Sequence, residues 1–155
     1  MKTNKINCEK MKEPNTLSAR EVGKLIAKYE YAQTPEMVKY YKSLNPSLWG
    51  IIHLITDCEY AQTPEMLEYF KSKNPSLWDL SDLIANCKYA QTSKMLEYYK
   101  SLKPYARDVE HLIRNCPYAQ TSNMVEYYKS LEDHDFDWII ENQKGVENGK
   151  GNETE

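Results

Sequence analysis

No run of apolar residues in this chain approaches the roughly 20 needed to cross a bilayer as a helix, so no membrane-spanning segment is expected. The start, Met1-Lys2-Thr3-Asn4-Lys5, leads into no apolar stretch of the secretory kind. The expectation is an intracellular, cytoplasmic protein with no membrane partner. Positive charge is not in excess. The formal charge is -3 and the isoelectric point about 5.7, which gives no general attraction to phosphate backbones or anionic lipid. Chemistry-bearing motifs are missing as well. There is no Gly-rich phosphate loop, no His-Glu-x-x-His, no strand-turn-helix nucleophile site and no Cys-x-x-Cys, and histidines number only three. The chain is therefore expected not to be an enzyme and to hold no cofactor and no metal.

Repetition is what the sequence has in quantity. Tyr-Ala-Gln-Thr begins at Tyr31, Tyr60, Tyr89 and Tyr118, a period of 29 residues with no insertion between copies. The repeats are 31-59, 60-88, 89-117 and a modified fourth, 118-143. In the first, Thr34 suits an N-cap, Pro35 the first helical position and Glu36 the first turn, where the helix dipole favours a carboxylate. Met37, Val38, Tyr41 and Leu44 then fall on one helical face. The pattern stops before Asn45-Pro46, because a residue preceding proline avoids the helical region. Ser47 can cap a second helix whose Ile51, Leu54, Ile55 and Cys58 recur at i, i+3, i+4 and i+7.

The ends follow the same scheme. Ser18 to Ile26 aligns with Tyr105 to Ile113, so the array opens with a half repeat over 17-30. Its start carries a capping box (Ser18, Glu21) and a hydrophobic staple (Leu17, Val22). Asp135 to Asn142 resembles Asp108 to Asn115 and reads as a closing helix. Residues 1-16 are expected to be a partly ordered polar lead-in, and 144-155, polar and Gly-rich, a disordered tail. Helices of about 10 to 12 residues cannot bury their apolar faces alone, so neighbouring hairpins must stack. The expected fold is all-α: a right-handed α-solenoid of short helix-turn-helix hairpins, four copies plus an N-terminal half repeat, in one domain over 17-143. An ankyrin-type module is the competing possibility, but its period is about 33 and its long Gly-containing hairpin has no counterpart in Leu44-Asn45-Pro46-Ser47.

Cys58, Cys87 and Cys116 share one repeat position. Stacked equivalents would lie about 10 Å apart, beyond disulfide reach, so they are expected to pack as small apolar residues. The candidate binding residues come from comparing copies. Tyr40, Tyr69, Tyr98 and Tyr127 always keep their hydroxyl, and Lys42, Lys71, Lys100 and Lys129 accompany them two positions on. Stacking would align both into rows suited to a peptide or extended polymer, although the same pattern suits hydrogen bonding between repeats. Gln33, Gln62, Gln91 and Gln120 are expected to satisfy loop backbone groups. Where copies differ, at Trp49, Trp78 and Arg107, a repeat protein can read a non-repetitive ligand; the indoles suit an interface or the space between hairpins equally. The function these features imply is a non-enzymatic helical-repeat adaptor for a protein or peptide. A nucleic-acid binder, with Tyr stacking bases and Lys on phosphates, is the weaker alternative.

Charge is uneven along the chain. Residues 1-30 hold seven Lys/Arg against four Asp/Glu, 31-117 ten of each, and 118-155 three against nine. A solubilising acidic cap is expected, or else weak head-to-tail self-association or a self-assembling structural protein.

Overall fold

The computed structural model describes residues 17–131, and within them it is all-helical: eight α-helices and no strand. They are α1 Ala19–Lys28, α2 Pro35–Ser43, α3 Leu48–Asp57, α4 Pro64–Ser72, α5 Leu77–Asn86, α6 Ser93–Ser101, α7 Ala106–Asn115 and α8 Ser122–Ser130. The odd-numbered helices correspond to the second helix of each repeat and the even-numbered ones to the first. The closing helix expected over 135–142, Cys8, the polar lead-in and the tail lie outside the described residues.

Local chemistry sets the boundaries. Thr34, Thr63, Thr92 and Thr121 each accept the backbone N–H three residues on, at 3.2, 3.2, 3.2 and 3.3 Å. Pro35 and Pro64 occupy the first helical position, where a missing N–H removes no bond. Helices α2, α4 and α6 are followed by a left-handed residue, Asn45, Asn74 and Lys103 (φ 51°, 52° and 53°), ahead of a buried proline. The odd helices end at Tyr29, Cys58, Cys87 and Cys116, and single 3-10 turns (Glu30–Ala32, Glu59–Ala61, Lys88–Ala90, Pro117–Ala119) lead into the next repeat.

The helices divide into two units at Pro75/Ser76. In unit 1, α1 packs against both α2 and α3, and α3 against α4. Unit 2 follows the same plan 58 residues on: α5 against α6 and α7, and α7 against α8. The predicted face of α3 is buried in full, with Ile51, Leu54, Ile55 and Cys58 at most 3% exposed. The corresponding face of α7, Val109, Leu112, Ile113 and Cys116, is at most 4% exposed. Among the even helices, α2 buries only Tyr41, whereas α6 and α8 each bury three side chains.

Candidate partner-binding surface

The tyrosine row is tied into the fold. Tyr69 donates its hydroxyl hydrogen to the Lys42 carbonyl at 3.2 Å, and Tyr127 does the same to Lys100 at 3.5 Å. Both acceptors are carbonyls of a last helical turn, and each also accepts the backbone N–H three residues on, from Asn45 at 3.1 Å and from Lys103 at 3.0 Å. The hydroxyl of Tyr40 is buried with no partner among the described residues, because no even-numbered helix precedes α2 there. Burial raises the hydroxyl pKa of Tyr69 and of Tyr127, the latter partly offset by the nearby Lys100 cation. The lysine row covers the tyrosines. Lys42 lies 5.3 Å from the Tyr69 ring centre and Lys100 5.5 Å from that of Tyr127, while Lys71 and Lys100 pair with Glu68 and Glu97 at 2.9 and 2.7 Å. Lys129 is exposed on α8, and Tyr98 is half-buried on α6.

Glutamine works in the same way. The side-chain amides of Gln33, Gln62, Gln91 and Gln120 donate to the carbonyls of Ile26, Ile55, Ile84 and Ile113 at 3.1–3.2 Å. The cysteines, expected as packing residues, are buried free thiols; Cys58 and Cys116 point their sulfurs at the carbonyls of Ile26 and Ile84, 3.6 and 3.8 Å away. No group of three or more metal-ligating side chains occurs among the described residues.

The variable positions behave differently. Trp49 on α3 and Trp78 on α5 are 61% and 62% exposed, and Arg107 on α7 is exposed beside Tyr105, itself 68% exposed. Burial between hairpins is therefore excluded for both indoles. Trp49 packs edge-on against His53 one turn along its own helix, at 4.5 Å between ring centres. Trp78 instead reaches from α5 to His111 on α7, at 4.8 Å.

The residue equivalent to Trp78 in unit 1 is Arg20, and around it the structure opens. A groove of about 560 Å³ runs between α1 and α3, lined by Arg20, Gly23 and Lys24 on one side and Trp49, Gly50 and His53 on the other. Tyr41, 1% exposed, closes it from α2. A Cβ on Gly23 would lie 3.1 Å from the Tyr41 ring, and one on Gly50 3.3 Å from its hydroxyl oxygen. In unit 2 the same place is lined by Trp78, Ser81, Asp108 and His111 and has no room for water. The one mark of this groove in the sequence is glycine inside two helical stretches, at positions that are Ser81 and Asp108 two repeats on. No protein-family model, no curated protein and no solved structure matches this chain.

Proposed function

We propose that this chain is a non-enzymatic helical-repeat adaptor, its hairpins stacked as a right-handed α-solenoid, that engages a protein or peptide through the outer faces of its odd-numbered helices. The observation that carries the proposal is the pair of indoles at equivalent repeat positions, Trp49 and Trp78, both more than half exposed. Large aromatics held in water on a rigid helix are the side chains that most often anchor a protein interface. Arg107 continues the series with the other common anchor. The tyrosine and lysine rows serve mainly as fastenings, because their polar atoms already meet backbone carbonyls, rings and carboxylates. That commitment also weighs against a nucleic-acid role, in which those same lysines would be needed for phosphate. Support for stacking is the identical pattern within each unit: one helix against both helices of the following repeat, with Tyr and Gln closing its predecessor's carbonyls. The buried free thiols suit a reducing intracellular setting.

Affinity capture with wild type and with Trp49→Ala plus Trp78→Ala tests the reading. The double variant is expected to melt within about 2 °C of wild type, exposed positions contributing little to stability, and to lose the captured partner. Equal recovery of every partner by both proteins overturns it.

A further inference from the structure

The groove between α1 and α3 is built at the expense of the helices that line it. Glu21, Asp79 and Asp108 each receive the N-cap backbone N–H of their helix, at 2.9, 2.9 and 3.0 Å. Position 50 is their equivalent in α3, and glycine there gives up that bond as well as helix propensity. Gly23 is a second glycine inside a helix, and both lie against the same side chain, Tyr41. The Tyr41 hydroxyl reaches the groove and has no hydrogen-bond partner among the described residues. Burial pushes its pKa above the ordinary tyrosine range, so it is a donor at neutral pH.

Unit 2 shows what borders such a place when it is closed, since its counterpart has no room for water and carries the Trp78 indole set against His111 at its edge. In unit 1 the corresponding histidine, His53, meets only the Trp49 indole of its own helix, at 4.5 Å, and Arg20 stands where unit 2 carries the Trp78 indole. Arg20 and Lys24, one turn apart on α1, border the groove with no ion-pair partner among the described residues. The single carboxylate there, Asp57, is engaged by His53 at 3.5 Å. An occupant must therefore supply a flat aromatic ring, a hydrogen-bond acceptor and negative charge.

We propose that the α1–α3 groove is a receptor for an acidic peptide segment carrying an aromatic side chain. The ring enters between Gly23 and Gly50 toward His53, an acceptor of the peptide takes the Tyr41 hydroxyl hydrogen, and flanking carboxylates meet Arg20 and Lys24. The inference rests on the adaptor reading and names the chemistry of its partner.

The test uses the full chain, ¹⁵N-labelled, and the probe peptide acetyl-Glu-Trp-Asp-amide. The chain has five glycines, so the glycine amides are readily resolved, and Gly23 and Gly50 report the groove. Saturable shifts at Gly23 and Gly50, with the Trp49 indole N–H that lines the groove, are expected, and none at Trp78. Acetyl-Glu-Ala-Asp-amide and acetyl-Lys-Trp-Lys-amide should bind at least tenfold more weakly. Gly50→Asp, which installs the residue unit 2 carries, should abolish the shifts, and Tyr41→Phe should weaken binding several-fold, each with the melting transition retained. Equal binding by Gly50→Asp, or equal binding of the basic probe, overturns the proposal. Shifts at the Trp78 indole N–H with Gly23 and Gly50 unmoved overturn the groove and leave the exposed helix face as the binding surface. No shift at either place overturns the groove and counts against the adaptor reading for acidic peptides.

Discussion

Tyr69 holds its hydroxyl against the carbonyl of a residue 27 positions earlier, a bond that ties one repeat to the one before it. Replacing it with Phe leaves the ring in place and removes one of the bonds the Lys42 carbonyl accepts, the Asn45 N–H remaining, so Tyr69→Phe is expected to cost about 0.5–1.5 kcal/mol in urea unfolding with partner binding unchanged. Lys103 occupies a left-handed position that Asn45 and Asn74 fill in the other copies. Asparagine tolerates that backbone better than a long side chain, so Lys103→Asn is expected to stabilise by about 0.5–1 kcal/mol, readable as a higher melting temperature. The caps were legible in the sequence because their requirement is local: Thr34 needs only its own helix to accept the Met37 N–H. The exposure of Trp49 and Trp78 was not legible, since burial depends on which neighbours arrive at that face.

At the scale of the helix, α3 departs from its siblings. Restoring a carboxylate at its third position should recover both propensity and the N-cap bond, so Gly50→Asp is expected to raise stability by about 1 kcal/mol, measured by thermal melting, while closing the α1–α3 groove. Asp108 beside the buried Tyr99 in unit 2 shows that the local fold accepts the residue. A fall in stability would mean that Tyr41 cannot yield the few tenths of an ångström the new Cβ demands. The faces of α3 and α7 were legible from spacing alone, because Ile51, Leu54 and Ile55 and their counterparts recur with the helical period. The groove was not, because it is made jointly by Arg20, Gly23, Tyr41 and Gly50 on three helices.

Across the molecule, the buried tyrosines set a limit at high pH. Desolvation by burial is the first cause of the raised pKa at Tyr41 and at Tyr99, so in the unfolded chain these hydroxyls ionise at lower pH than in the folded one. Their contribution is present below the unfolded value, near 10, and is lost as pH rises above it, by up to about 1.4 kcal/mol per pH unit for each tyrosine. Alkaline unfolding should therefore set in above about pH 10, and Tyr41→Phe should flatten its slope in a urea midpoint series. If the repeats are interchangeable, excision of residues 60–88 should leave a cooperatively melting helical protein of lower midpoint, measured by circular dichroism. By itself the sequence determined the 29-residue register, the helix starts and stops and the apolar face of each odd helix, because propensity, capping and periodicity act within one turn or two. Only the tertiary structure decided that the Tyr69 and Tyr127 hydroxyls are spent on carbonyls, that both helix-face indoles stand in water and that two glycines open a groove over Tyr41, because each depends on side chains from separate helices meeting in space.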